Sequence, residues 1–393
     1  MNRDISLDVL RGLMLVIMAA DHFGEPVFQH IYEFAGYVSA AEGFVFLSGM
    51  LAAIVYSRYH AKGGYVLEQK MWHRVGVIYL YHLSVLLAVF VFTMLTKLSG
   101  ADWHSFATGM EAEPVRALMS GMALVYQPSL LDILPMYVML MFLAPLALRL
   151  MMKYKFLGMG VVLLGSVGIW GLAQVGTGHN LLKRLPDAFM VKFGAFDWLA
   201  WQLIFVLGMI MGWLRVENST KDKLVIKDWL FGISLAIVIY LFLQRHGHIN
   251  GQLMPWMAWL QKYDHIGRDY MGWLRIVNFL AVLYVIAGLI SWQKRHNLFS
   301  WLKVPGRWLS FLGQHSLQVF AYHVVILYCY IPFRWGDLAL SENQKWWALL
   351  VFLASLTLPA WVHMYHQHMQ KVHRKRETVA LPIGRLEYAP AGA

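Results

Sequence analysis

The chain has 393 residues, of which 59% are hydrophobic and only 14% charged, and its formal net charge is +11. A soluble domain is about a quarter charged, so this composition excludes an ordinary soluble globule and indicates a polytopic membrane protein. The positive surplus does not point to nucleic acid, because it gathers in alternate loops and in the tail, where anionic lipid is the natural partner.

Ten apolar stretches are long enough to span a bilayer: residues 7–24, 36–56, 72–96, 129–150, 156–175, 198–215, 226–244, 270–292, 308–333 and 344–365. They predict an all-α membrane bundle of about ten transmembrane helices, with one domain over residues 1–370 and a basic tail over 371–393. Cleavage of the first stretch as a signal peptide is not expected, since Asp8 and Arg11 spoil the required boundary. With the N-terminus inside, Arg58, Lys62, Lys70, Arg149 and Lys153 fall in inner loops. The opposite segment Glu25 to Ala35 has no lysine or arginine at all. That positive-inside pattern predicts two cytoplasmic termini, and the run Lys371 to Arg376 is expected to contact lipid headgroups.

The first stretch carries Asp8, Arg11, Asp21 and His22 in an otherwise apolar helix. Ionisable groups at bilayer depth are expensive and usually face a protein interior, where they do chemistry or transport. Eleven residues separate Arg11 from His22, about three turns, so the two share a face. Asp8 lies one turn before Arg11, and about 21 Å separates it from His22 along the axis. The expected topology puts Asp8 and Arg11 near the inner surface and Asp21 and His22 near the outer one.

Depth gathers further candidates. Glu42 lies about 9 Å below the outer surface and His323 about 22 Å from the inner one, so both match the level of His22. A glutamate at that depth needs a partner, and histidine is the natural one. Asp132, Asp197, Trp201, Arg275 and Asn278 share the outer half as candidate substrate contacts. Arg74 joins Arg11, His73 and Arg307 on the inner side, where arginine suits phosphate. His82 fits either a pathway or packing. Two outer segments, Lys97 to Pro128 and Arg245 to Asp269, exceed the length of simple turns and carry Asp102, Trp103, His104, Glu111, Glu113, Trp256, Trp259, His265, Arg268 and Asp269. Tryptophan beside carboxylates suits a sugar ring, and equally an aromatic belt at the interface.

Phosphate-loop, CxxC and HExxH motifs are absent, so nucleotide hydrolysis and metal chemistry lack support. Ser48-Gly49 is expected to permit close helix packing rather than nucleophilic attack. The sole cysteine, Cys329, has no intrachain partner and is expected to pack.

The motifs Arg3-Asp4, Leu7-Asp8-Val9-Leu10-Arg11-Gly12, Asp21-His22 and Ala41-Glu42-Gly43-Phe44-Val45-Phe46-Leu47-Ser48-Gly49 resemble the OpgC family of bacterial inner-membrane proteins, relatives of the membrane acyltransferases of family three. So do the Asp132 stretch and Leu312 to Phe320 before His323. The resemblance implies transfer of a succinyl or similar acyl group from cytoplasmic acyl-CoA, such as succinyl-CoA or acetyl-CoA, to a periplasmic glucan or other polysaccharide. It also implies an essential histidine that maps onto His22. In that reading His22 is the general base, oriented by Asp21 or Glu42, with His323 or Arg275 polarising the thioester. Asp8, Arg11 and Arg74 form the donor end. A proton-coupled exporter using His22 and Glu42 as a relay is the rival, less well supported without an internal repeat. A glycan-binding scaffold without chemistry is a third reading, which leaves the charges of the first helix unexplained. Oligomeric state is not readable from the sequence.

Overall fold

The computed structural model describes residues 4–24, 27, 31–60, 63–96, 107, 109–176, 189–192, 194–217, 226–247, 266–296, 303–334 and 338–379. In chain order the helices are α1 (Ile5–Phe23), α2 (Ala40–His60), α3 (Gly64–Thr96), α4 (Pro114–Met122), α5 (Ile133–Gln174), α6 (Trp198–Glu217), α7 (Asp228–Arg245), α8 (Trp273–His296), α9 (Lys303–Gln314), α10 (Ser316–Tyr330), α11 (Glu342–Ser355) and α12 (Thr357–Val379), with a 3-10 turn at Ile331–Phe333. The fold is an all-α membrane bundle. Its described residues hold no strand, only an isolated bridge between Tyr126 and Lys192.

Eight segments among the described residues are long and apolar enough to cross a membrane. One of them, α5, has 42 residues, about 63 Å of helix and twice the hydrocarbon thickness. It is two helices that meet at Lys155, whose backbone (φ 53°, ψ −128°) is not helical. Gly158 is pressed against the Leu150 carbonyl where the chain folds back, and Lys155 Nζ meets Glu217 at 2.8 Å. Counting α5 as two and adding the charged α1 recovers the ten expected segments.

Two boundaries differ from expectation. The ninth stretch is not one helix: it breaks at His315 (φ −112°, ψ 31°) into α9 and α10. The His315 ring, buried, bonds the Phe311 carbonyl at 2.9 Å. The last stretch is longer than expected, because α11 is followed by α12 out to Val379.

Between helices in lipid there is little hydrophobic drive, so close backbone approach through small residues has to supply the packing. α2 and α6 meet in this way. A Cβ on Gly49 would lie 2.1 Å from the Phe205 carbonyl oxygen, one on Gly208 2.1 Å from that of Phe46, and one on Gly212 2.3 Å from that of Met50. Gly12 and Gly313 do the same between α1 and α9, where each added Cβ would fall 1.9 Å from the carbonyl oxygen of Leu309 or Asp8. The expected packing role of Ser48-Gly49 is therefore observed. Gly49→Ala is expected to destabilise the protein by about 1–3 kcal/mol, since two backbones must separate. Gly168→Ala, where a Cβ meets nothing within 4 Å, is expected to leave the thermal midpoint in detergent unchanged.

The apolar side chains turned outward, among them Leu80, Leu157, Leu164 and Val351, are exposed, as a lipid-facing surface requires. Cys329 is also exposed, so it is not the packing residue expected.

Candidate functional site

α1 is held along α9 by its glycine contacts, and its end is fixed by aromatic stacking. Phe23 lies 4.2 Å from the Tyr330 ring and 5.7 Å from Phe352, centroid to centroid. Gly24 then terminates the helix in a left-handed conformation (φ 88°). This fixes His22 against α10, where its Nδ1 lies 3.2 Å from Nε2 of His323. The two rings are near-parallel, 5.5 Å apart and inclined by 17°. His323 is 1% exposed, with the Phe320 ring edge-on at 4.8 Å. The two histidines expected at one depth are thus direct neighbours.

Asp21 precedes His22, and its buried Oδ1 has no hydrogen-bond partner among the described residues. Arg268 lies within electrostatic range of Asp21, His22 and Asp132. Its guanidinium sits 5.4 Å from the Phe196 ring centre and 6.0 Å from that of Tyr32.

Glu42 finds a different partner from the histidine expected. It is fully buried and receives Arg275 Nη1 at 2.5 Å. The Ser39 backbone N–H and hydroxyl also donate to it, at 2.9 and 2.5 Å. The other Nη of Arg275 pairs with Glu33, which Arg245 Nε also meets at 2.5 Å. Arg275 Nε donates to the Ile266 carbonyl at 3.1 Å. An arginine is the better partner because its planar fork serves two carboxylates at once, where an imidazole serves one. Glu42 is therefore bonded to Arg275 and Ser39 rather than to His22, and Arg275 commits three of its five N–H groups to two carboxylates and a carbonyl.

Three expected substrate contacts are bonded to the protein's own backbone. Trp201 is fully buried, with its indole N–H bonded to the Arg268 carbonyl at 3.0 Å and the Phe196 ring edge-on at 4.5 Å, so it offers no face to a sugar. Asn278, also fully buried, accepts from the Tyr37 backbone N–H at 2.7 Å and donates to the Ala35 carbonyl at 3.1 Å, clamping the turn between α1 and α2. Asp197 accepts the Leu199 N–H at 2.8 Å, in the manner of a helix cap. Asp132 is buried, accepts the Ala195 N–H at 3.1 Å and lies within electrostatic range of Arg268. His82 is packing: its Nε2 bonds the Gly121 carbonyl at 3.0 Å and ties α4 to α3. Asp102, Trp103, His104, Trp256, Trp259 and His265 lie outside the described residues.

At the opposite end of α1, Arg11 and Arg74 line one cavity of about 400 Å³ with Tyr81, Gln314, Gln318 and His363. The Arg11 guanidinium also lies over the Phe44 ring at 5.5 Å. Asp8 is buried and does not line this cavity. Sequence reasoning brought the two arginines to one side without their amide neighbours. Only part of the signal was present: His363 and Gln367 stand four residues apart on α12, whereas Gln314 and Gln318 lie on either side of the break at His315. Glu33 and Arg245 were also missed; Glu33 was visible as a carboxylate in a short segment without any cation.

A family model described as OpgC protein matches residues 3–371 of the chain. No curated protein and no solved structure matches it.

Proposed function

Because the chain belongs to the OpgC family, we propose that it is a membrane-embedded O-acyltransferase, which moves a succinyl or acetyl group from acyl-CoA to a hydroxyl of a periplasmic glucan or another polysaccharide. The family points to a transferase acting on glucans. The acyl group, the CoA donor and a place in a bacterial inner membrane with both termini cytoplasmic are the finer parts of the proposal.

The observation that carries it is the content of one helix. α1 brings His22 onto His323 at one end and Arg11 into the cavity of Arg74 at the other. At 1.5 Å per residue, about 16 Å separates Arg11 from His22. Guanidinium groups suit the phosphates of CoA, and a cavity of this size holds part of such a molecule. A sugar hydroxyl is a weak nucleophile at its own pKa, and a histidine that takes its proton as it attacks lowers the barrier. The hydroxyl oxygen bonds to the thioester carbonyl carbon, the carbon–sulfur bond breaks, and the proton on His22 passes to the departing thiolate. Free CoA and an ester result. Asp21 and Arg268 flank the reacting groups, and Arg268 is the donor placed to meet charge developing on the carbonyl oxygen.

Purified protein incubated with radiolabelled succinyl-CoA or acetyl-CoA and a glucan tests this. Label in the glucan is expected; uptake of either compound into vesicles without any transfer favours the exporter instead. Arg11→Ala and Arg74→Ala are each expected to weaken CoA binding about 10- to 100-fold, the size of a charge-assisted phosphate contact. Calorimetric titration with CoA checks this, and unchanged affinity in both variants removes the donor site from the Arg11 cavity.

A further inference from the structure

A hydrogen bond between two imidazoles needs one protonated nitrogen and one bare one, so the contact between His22 and His323 has a direction. The surroundings of His323 set it. Its Nε2 faces His22, which turns its Nδ1 toward the preceding turn of its own helix, where the Val319 and Phe320 carbonyls, four and three residues back, act on the ring. Backbone carbonyls only accept, so the nitrogen turned toward them, Nδ1, carries the hydrogen. A neutral histidine protonated at Nδ1 has a lone pair at Nε2 and can only accept there. The hydrogen in the contact then belongs to His22 Nδ1, and the lone pair of His22 is at Nε2, on the side of the ring away from His323.

We propose that His323 is a positioning residue that holds His22 in the tautomer able to act as a base. The inference rests on the acyltransferase reading for its catalytic meaning. In the opposite tautomer His22 Nε2 would carry a hydrogen and have nothing with which to take the hydroxyl proton. A buried carboxylate often holds a catalytic histidine in this way; here a second histidine, oriented by helix backbone, occupies that place. Both nitrogens of His323 are then committed, one to His22 and one to its helix. It has no donor left for a thioester oxygen, so positioning replaces the polarising role considered above. Near-complete burial of His323 fits the same conclusion, because the ring meets His22 and does not meet substrate.

The test reads the tautomer directly. Protein labelled with ¹⁵N at histidine, in detergent at a pH where the pair is neutral, is examined by long-range ¹H–¹⁵N correlation, with the His22 signals assigned from His22→Asn. The expected spectrum has a protonated Nδ1 and a bare Nε2 on His22. His323→Leu, which removes the acceptor, should shift His22 toward the Nε2-protonated form. It should also lower transfer about 100-fold or more with little change in KM, as loss of the correct tautomer does elsewhere. His323→Gln, whose amide oxygen can accept the same hydrogen, should restore the Nδ1-protonated form and return activity to within about tenfold of wild type. A wild-type His22 protonated at Nε2 overturns the proposal, and the unmutated protein alone decides that. An Nδ1-protonated His22 in a protein that transfers no acyl group upholds the positioning and overturns the acyltransferase reading.

Discussion

His22→Ala is expected to lower acyl transfer to glucan by about 10²- to 10⁴-fold, the range supplied by a positioned general base. The fold should survive the change. His22 sits on the last turn of α1, where the end of the helix is fixed by Phe23 on Tyr330 and Phe352 and by the Gly24 terminus. What the variant loses locally is one hydrogen bond to His323, a cost of about 1–3 kcal/mol when the partner stays buried. The Arg11 cavity lies about 16 Å along the helix, so CoA affinity should be unchanged. Transfer rate and CoA affinity measured on the same preparation separate the two ends. A variant that transfers at the wild-type rate removes His22 from the chemistry, and one that loses CoA binding as well contradicts the division of labour along α1.

The second large effect is on stability. Arg275→Met leaves the fully buried Glu42 and the nearly buried Glu33 without their shared cation. Stranding one partner of a buried ion pair costs about 3–5 kcal/mol, and here two carboxylates are involved, although Arg245 still reaches Glu33. The expected result is a strongly lowered thermal midpoint in detergent and little folded protein. Glu42→Gln is milder, because Arg275 keeps Glu33 and the Ile266 carbonyl and the amide still accepts from Ser39. An Arg275→Met protein as stable as wild type would show that this pair does not hold the α1–α2 turn. The pairing also explains why Glu42 stands in the middle of a family-like motif without touching the histidines: it fixes the turn that follows His22.

The spans were legible because hydropathy in a membrane protein reports directly on the solvent each segment meets. The break at His315 was not, since apolar residues continue on both sides of it. Position along their helices was enough to bring His22 and His323 together, but not to place Glu42. Depth is one coordinate, and the other two come from which helices touch. Two of those residues met and the third found Arg275. Trp201 and Asn278 show the opposite failure. A polar atom within an apolar run reads the same whether it meets substrate or satisfies backbone, and here the Arg268 carbonyl and the 35–37 turn take it. Arg11 and Arg74 were placed together by the charge asymmetry of the loops, while the amides beside them became meaningful only once α9, α10 and α12 converged on one cavity.

The central claim is that one protein carries an acyl group from CoA at one end of α1 to a hydroxyl at the other. Proteoliposomes of known orientation, with labelled succinyl-CoA on the side of Arg11 and glucan confined to the side of His22, measure it most directly. Label is predicted to appear on the enclosed glucan with wild-type protein and to be absent with His22→Ala. Label that reaches glucan only when donor and acceptor share a compartment would contradict the account.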